Sequence, residues 1–235
     1  MIASAPLTIG NDNTNTIFSG GISGSGRLVK VGSGTLTIMT NLAFQSGAFY
    51  LVQVGASASN TNIVGTASVA NATVQVAVGG GAQAMKTYDI VHSTVTLGGT
   101  TFAGVQSLTP GFTETLSYTT SDVFLSLIAS LGGGGSFSGN QQNTANGINT
   151  VFNSGGTLPP AFLNLFSLSG APLSNALTQL SGETATGSQQ TTFGAMGQFM
   201  GLLTDPLMNR GGGTSSPLGY AANSNPTDAL AADQV

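Results

Sequence analysis

Three titratable side chains in the middle of the chain, Asp89, His92 and Asp122, are the first candidates for chemistry. His92 is the only histidine, so one chain cannot supply a His-based metal cluster or a second catalytic imidazole. A Ser-His-Asp arrangement could combine His92 with either aspartate and one of many serines, but no G-x-S-x-G segment occurs. We therefore expect no catalysis, with Asp89 and His92 lying as solvated groups at a strand end.

The carboxylates also lack the spacing of an active site. All eight are spread through the chain, whereas glycoside hydrolysis needs two carboxyl groups held close together. A carbohydrate-active enzyme would need Asp89, Glu114 and Asp122 clustered on one face, and separations above about 10 Å would exclude it. Cysteine is absent, which excludes disulfides, thiolate zinc sites and a cysteine nucleophile. The sequence predicts no enzyme, no cofactor and no metal site.

Two Gly-Ser-Gly segments, at residues 24–26 and 32–34, invite comparison with a phosphate-binding loop. Neither is followed by Gly-Lys-Ser/Thr at P-loop spacing, and neither precedes a predicted helix that could hold the anion. The residues between them alternate as in a strand, with Leu28 and Lys30 on one face. We therefore interpret residues 22–38 as one rung of a coiled β structure. The positions assigned to this structural motif are Gly24, Gly26, Leu28, Lys30, Gly32, Gly34, Leu36 and Ile38.

The composition differs from that of an ordinary soluble enzyme. Charged residues make up 5% of the chain, against roughly a quarter in typical domains, and 35 of the 235 residues are glycine. Solubility must therefore come from hydroxyl and amide side chains. The net charge is -4 and only four residues are lysine or arginine, so the clustered cations that neutralise phosphates are missing. Nucleic acid is not an expected partner.

Residues 1 to about 130 have the pattern of short strands separated by glycine, asparagine and serine. Residues 73–78 alternate most clearly, with Val74, Val76 and Val78 on one face. Such strands suit a sandwich, a barrel or a solenoid; asparagine and glycine at the turns favour a solenoid, although no strict repeat period is found. The predicted strands are residues 16–18, 28–31, 35–38, 49–54, 63–64, 72–78, 88–92, 94–97, 116–118 and 123–128.

After four glycines at residues 132–135 the apolar pattern takes the period of a helix. Helices are predicted within residues 140–155, 161–166, 171–180 and 184–203. The last helix carries an apolar stripe, which we expect to be core rather than membrane contact because no basic face opposes it. The stripe consists of Phe193, Met196, Phe199, Met200 and Leu203.

The motif at residues 22–38 resembles the passenger-associated transport repeat of bacterial autotransporters, the proteins of type V secretion. The family pattern is I-S-G-S-G-x-L-x-K-x-G-x-G-T-L-T-L, and every position is met except the last, where Ile38 replaces a leucine. Further segments follow in the order seen at the C-terminal end of autotransporter passengers. They are residues 67–76, 87–91, 101–105, 116–118 and 122–127.

The helical tail is similar to the same family. Residues 176–183 resemble the A-L-x-Q-L-S-G-E helix that precedes the translocator barrel, and residues 199–205 resemble the F-x-x-x-L-x-D that follows it. Residues 225–231 resemble the last segment before the first barrel strand. The barrel strands themselves do not follow, and the first ten residues lack the pattern of a signal peptide. The resemblance therefore implies a fragment of a longer protein.

This resemblance implies a mainly β fold: the end of a right-handed parallel β-helix, followed by a helical linker tail. Residues 1–131 would be the autochaperone-like passenger end, residues 132–139 a glycine-rich linker and residues 140–235 the pre-barrel linker. The implied role is structural, nucleating passenger folding during export to the bacterial cell surface, the outer membrane or the medium. Implied partners are the outer-membrane β-barrel translocator and the barrel assembly machinery. The alternative is an exposed solenoid adhesin that binds glycans or a host surface.

Arg27 and Lys30, two of the four basic residues, lie inside the motif. One interpretation makes them edge charges that prevent strand pairing with other chains, which is the general use of charges on edge strands. The other, carried over from the family, makes them a marker of the rung that the secretion machinery reads. The general use favours the edge-charge interpretation.

Overall fold

The computed structural model describes residues 6–156 and 160–208, and in these residues the chain is a β-solenoid followed by helices. The strands are β1 Leu7–Ile9, β2 Thr16–Phe18, β3 Ile22–Gly24, β4 Arg27–Lys30, β5 Thr35–Ile38, β6 Leu42–Phe44, β7 Phe49–Val54, β8 Asn60–Ile63, β9 Ala67–Ser68, β10 Thr73–Val78, β11 Thr87–Ser93, β12 Gly104–Ser107, β13 Phe112–Tyr118 and β14 Asp122–Ala129. The helices are α1 Gly139–Asn153, α2 Pro160–Leu163 with a following 3-10 turn Asn164–Ser167, α3 Gly170–Leu180 and α4 Glu183–Met208. The predicted fold class, a mainly β solenoid followed by helices, is confirmed.

The strands stack into three sheets, and each complete turn of the coil contributes one strand to each sheet. The first sheet has the order β1-β4-β7-β10-β12, the second β13-β14-β11-β8-β5-β2 and the third β3-β6-β9. Pairing between successive turns is parallel throughout. Three turns are complete, from β1 to β9, and β10 with β11 begins a fourth. Parallel stacking of this kind lets each turn bury its inner face against the next.

The repeat length grows along the coil. In the first sheet the step between paired residues is 21 from Leu7 to Leu28 and 22 from Leu28 to Tyr50. It is then 24 from Tyr50 to Val74 and 31 from Val74 to Val105. The added residues lie in the corners and leave the register of the strands intact. A fixed period is therefore absent from the sequence although the first sheet keeps its parallel pairing from turn to turn.

The core is filled by the alternate residues that point into the coil. Val74 and Val76 are fully buried and Val78 is half-buried, as the alternation in this strand predicts. Tyr50 stacks on Phe102 with ring centroids 6.1 Å apart. The Tyr50 hydroxyl donates to the Ile90 carbonyl at 2.9 Å and shares a second hydrogen bond with Thr61, so this buried polar group is satisfied.

Asparagine side chains join the corners of successive turns. Asn13 Oδ1 accepts from the Ser33 amide at 3.1 Å, and Asn15 Oδ1 accepts from the Thr35 amide at 2.8 Å. One turn later, the Asn41 side chain accepts from the Thr66 amide. The backbone N–H groups at the corners cannot join the hydrogen-bond ladders of the sheets. An asparagine oxygen from the preceding turn therefore accepts their hydrogen bonds, which water would otherwise have to accept.

An antiparallel hairpin closes one end of the coil. β14 pairs antiparallel with β11 on one side and with β13 on the other. Helices α1 to α3 pack on this end around three phenylalanine rings, with Phe112 stacked on Phe166 at 4.5 Å and Phe152 5.3 Å from Phe112. The side-chain amide of Asn153 both donates to and accepts from the Ala129 backbone. The helices thus bond to backbone groups at the end of β14.

The chain divides into two compact units after Glu183, and helix α4 from residue 184 onward belongs to the second unit. Four side chains of its predicted apolar stripe, Phe193, Met196, Phe199 and Met200, are exposed. The prediction that they form core is wrong for these four. Among the described helices, none combines the length and the apolar character needed to span a membrane. The predicted final linker segment, residues 225–231, lies outside the described residues.

Glu114 is an acidic side chain on the inner face of β13. It is only 7% exposed, and its Oε1 has no hydrogen-bond partner. Burial raises the pKa of Glu114 from 4.5 to about 7, although a hydrogen bond from Ser107 offsets part of this effect. A buried carboxyl group in this environment is held in its neutral form until the pH approaches neutrality.

We expect the stability of the chain to fall as the pH rises from about 4.5 through about 7. The folded state holds the Glu114 proton over this window and the unfolded state does not, so the destabilisation is absent below the window and complete above it. The full shift corresponds to at most about 3 kcal/mol, and partial solvation reduces this to about 1–2 kcal/mol. Urea unfolding of Glu114→Gln across this range should show a flattened profile. Equal slopes in wild type and Glu114→Gln would contradict the assignment.

Candidate functional site

A β-bulge in β11 places two titratable side chains on the outer surface of the second sheet. Asp89 pairs with Phe124 and Val91 pairs with Val123, so Ile90 is the extra residue in the antiparallel ladder. Ile90 and Val91 are consecutive and both fully buried, which reverses the alternation of the strand. Asp89 and His92 consequently lie on the same outer face, although they are three positions apart.

The start of β14 adds Asp122 to this face, directly opposite His92 in the strand pair. His92 Nδ1 lies 2.5 Å from Asp122 Oδ1. Thr119 and Ser121 donate their hydroxyl hydrogens to Asp122 Oδ2, at 2.6 and 2.8 Å. One carboxylate oxygen is therefore directed at the imidazole and the other is held by two hydroxyls.

Asp89, His92 and Asp122 each present one potential ligand atom, and these atoms lie within 4.8 Å of one another. The expectation of a solvated group at a strand end is wrong for Asp89, which lies inside β11 and has a buried Oδ1. It fits His92, which is next to the last residue of β11 and has a side chain that is 41% exposed. The expectation that the carboxylates are not clustered is also wrong for Asp89 and Asp122. Carboxylate oxygens of these two residues lie within 4.8 Å of each other. A separation above about 10 Å was the condition for excluding a carbohydrate-active enzyme, and this pair does not meet it. Glu114 is buried on β13, with its side chain on the inner face.

The two carboxyl groups of the cluster have opposite electrostatic environments. Burial, together with the negative charge of Asp122, raises the pKa of Asp89. Hydrogen bonds from His92 and Thr119 lower the pKa of Asp122. Asp122 is therefore the better stabilised anion, while Asp89 lacks a hydrogen-bond partner for its buried oxygen.

The sequence contains one local sign of this cluster. In residues 88–93 the order is Tyr-Asp-Ile-Val-His-Ser, where two adjacent apolar residues interrupt the alternation of apolar and polar. Such an interruption in a strand indicates a bulge, which moves the next polar residue to the face of the previous one. The contribution of Asp122 could not be found in this way, because it depends on the pairing of β14 with β11.

The structural motif runs from β3, the last strand of the first turn, into β4 and β5 of the second turn, where Leu28, Leu36 and Ile38 are fully buried. Gly32 has a φ of +69°, and a Cβ on Gly34 would lie 2.0 Å from the Thr14 carbonyl oxygen. These two glycines are thus required by a turn conformation and by close approach of the preceding turn. Gly24 also has a positive φ, and Gly26 lies in the turn that connects β3 to β4.

Lys30 is fully buried although it is charged in solution. Its Nζ donates to the Val31 carbonyl at 2.7 Å and lies 3.5 Å from the Gly32 carbonyl. Burial lowers the pKa of Lys30, and the negative charge of Asp12 opposes that effect. The ammonium group therefore bonds to backbone carbonyls at the corner of its own turn.

The interpretation of Arg27 and Lys30 as edge charges is wrong. Both belong to β4, which pairs with β1 on one side and with β7 on the other. Lys30 points into the coil, and Arg27 lies over the Phe49 ring of the next turn with its guanidinium carbon 5.4 Å from the centroid. Lys30 thus contacts backbone carbonyls, and the exposed Arg27 contacts an aromatic ring of the next turn.

Comparisons with protein-family models, with curated proteins and with solved structures found no match to this chain. The functional assignment therefore depends on the arrangement of its own residues.

Proposed function

We propose that this chain is the C-terminal end of an autotransporter passenger with part of its helical linker, and that it acts structurally by nucleating the folding of a β-helix during export. The proposal is supported by the similarity of residues 22–38 to the transport repeat and by the different character of the two ends of the coil. Under this proposal its partners are the outer-membrane translocator barrel and the barrel assembly machinery, and its location is the bacterial surface. The motif residues act by packing.

The single observation that carries the proposal is that one end of the coil is closed and the other is open. In the first turn, the inward positions Leu7 and Phe18 are 37% and 42% exposed. Leu28 and Ile38, the residues that pair with them in the second turn, are fully buried. Within the described residues, β1, β2 and β3 each pair with a strand on one side only. The open end therefore offers three strand edges and an apolar surface that suit another parallel turn.

The opposite end is suited to the start of folding. Two clusters of buried apolar residues meet there, one inside the coil and one between the hairpin and helices α1 to α3. The β13–β14 hairpin is local in sequence, so its closure costs less chain entropy than pairing between turns that are 20 to 31 residues apart. A locally stabilised end can then template the stacking of parallel turns in one direction.

The proposal is tested by surface display in a bacterium with an outer membrane. The chain is placed between an exported β-helical passenger and an autotransporter barrel, and folded passenger is measured by resistance to protease on intact cells. Leu125→Asp, at a fully buried position of β14, is expected to reduce folded surface passenger several-fold because it destabilises the closed end.

Ile128→Asp is the matched control, since Ile128 lies on the same strand and is 50% exposed. It should leave the display of folded passenger close to that of the wild type. The proposal fails if Leu125→Asp unfolds the purified chain and yet both variants display the same amount of protease-resistant passenger.

A further inference from the structure

A row of polar side chains crosses the outer surface of the second sheet where the parallel coil meets the closing hairpin. Asn62 on β8 lies opposite His92 on β11, and His92 lies opposite Asp122 on β14. The bulge adds Asp89 to the same face. From this geometry we propose that Asp89, His92 and Asp122 bind a divalent transition-metal cation, for which Zn²⁺ is the suitable probe.

The ligand atoms have the spacing that this requires. They already lie within 4.8 Å of one another, and a tetrahedral ion with ligand bonds of about 2.0–2.2 Å needs its ligands about 3.3–3.6 Å apart. Small side-chain rotations therefore bring the three atoms into the coordination sphere. Water completes it, as in zinc sites with three protein ligands.

Buried oxygens without partners are a second, independent observation. Asp89 Oδ1 and Asn62 Oδ1 are both shielded from solvent, and neither accepts a hydrogen bond. Buried polar atoms in folded proteins nearly always have a partner, and a missing ion is one of the recognised explanations for an exception. A cation bound by the Asp89 carboxylate through this oxygen would supply the partner that it lacks.

Within the part of the chain that the structure describes, the negative charges of the two carboxylates are also not balanced by a nearby lysine or arginine. Asp89 and Asp122 are adjacent carboxyl groups, and no lysine or arginine in the described ranges forms an ion pair with either of them. A divalent ion would balance both negative charges. The imidazole would bind in its neutral form, exchanging its hydrogen bond to Asp122 Oδ1 for a bond to the metal.

The choice of cation follows from the ligand types. One imidazole nitrogen with two carboxylate oxygens suits zinc and related transition metals, whereas calcium and magnesium prefer oxygen ligands alone. Thr119 and Ser121 hold Asp122 Oδ2, which fixes the orientation of the ligand carboxylate from its outer side. The ion would join β11 to β14 and so tie the closing hairpin to the last parallel turn.

The test uses the full chain without a histidine tag, because His92 is then the only imidazole in the sample. ZnCl₂ is added at pH 7 while the imidazole signals are followed by NMR and the heat of binding by calorimetry. We expect the His92 signals to move and to saturate at one equivalent of zinc, and the unfolding temperature to rise. MgCl₂ at the same concentration should produce no such saturation. Absence of a saturable change with zinc overturns the proposal.

Asp89→Asn and Asp122→Asn should each weaken zinc binding by about 10- to 100-fold. Asp12→Asn is the control, because Asp12 is an exposed aspartate whose side chain accepts hydrogen bonds from Thr14; its zinc affinity should equal that of the wild type. If Asp122→Asn alters folding without metal, the Asp89→Asn result and the wild-type NMR titration decide. Unchanged affinity in Asp89→Asn overturns the three-ligand site.

Discussion

Replacement of Leu36 by aspartate is expected to abolish the cooperative unfolding transition of the chain. Leu36 is fully buried, and it pairs with Thr16 in the turn before and with Thr61 in the turn after. Loss of the leucine side chain costs about 2–5 kcal/mol, and burial of a carboxylate without a partner adds several kcal/mol more. The total matches or exceeds much of the 5–15 kcal/mol that stabilises a typical domain.

Thr37→Asp provides the matched control for this prediction. Thr37 is the next residue of β5 and points to the outer face, where it is half-buried between Ile17 and Asn62. The same substitution there should change the free energy of unfolding by less than about 1 kcal/mol. Urea unfolding followed by circular dichroism distinguishes the two variants. A denaturant midpoint for Leu36→Asp equal to that of the wild type would contradict the inward placement of Leu36.

The fold class could be predicted because its causes are local. Short alternating strands and corner residues rich in asparagine and glycine are readable in one sequence, and Asn13, Asn15 and Asn41 do bond across the corners. Strands such as β1 and β12 are not predicted, because they have only three and four residues. Their place in the sheet is fixed by pairing with neighbouring turns, and such pairing is a tertiary effect that intrinsic strand preference does not capture.

The outer-surface cluster could be predicted only in part. Asp89 and His92 are close in sequence, and the interrupted alternation between them indicates a bulge. Asp122 joins them only because β14 returns antiparallel beside β11, a pairing that no local pattern specifies. The hydrogen bond from the Lys30 amine to the Val31 carbonyl at the corner is likewise not indicated by the apolar residues that flank Lys30 in the sequence. Side chains whose environment depends on non-local pairing are the ones that sequence patterns misplace.

Replacement of Gly34 by alanine is expected to destabilise the chain by about 1–3 kcal/mol or more, which is the typical cost of overpacking. The new Cβ would lie 2.0 Å from the Thr14 carbonyl oxygen and 2.9 Å from that of Asn13. These contacts are with backbone atoms, so the first and second turns of the coil must separate to accommodate the methyl group. The free energy of unfolding in urea measures the effect.

Gly104, a glycine in strand β12, provides the control that distinguishes the effect of a motif glycine from the general effect of replacing glycine by alanine. A Cβ at Gly104 meets no atom within 4 Å, so Gly104→Ala should be neutral or slightly stabilising through the lower entropy of the unfolded chain. If the Gly-Ser-Gly segments served to hold a ligand, Gly34→Ala would reduce ligand binding and leave the stability of the chain intact. If Gly34→Ala loses stability and Gly104→Ala does not, the close approach at Gly34 sets the distance between the turns. Equal stability of the two variants would refute that role.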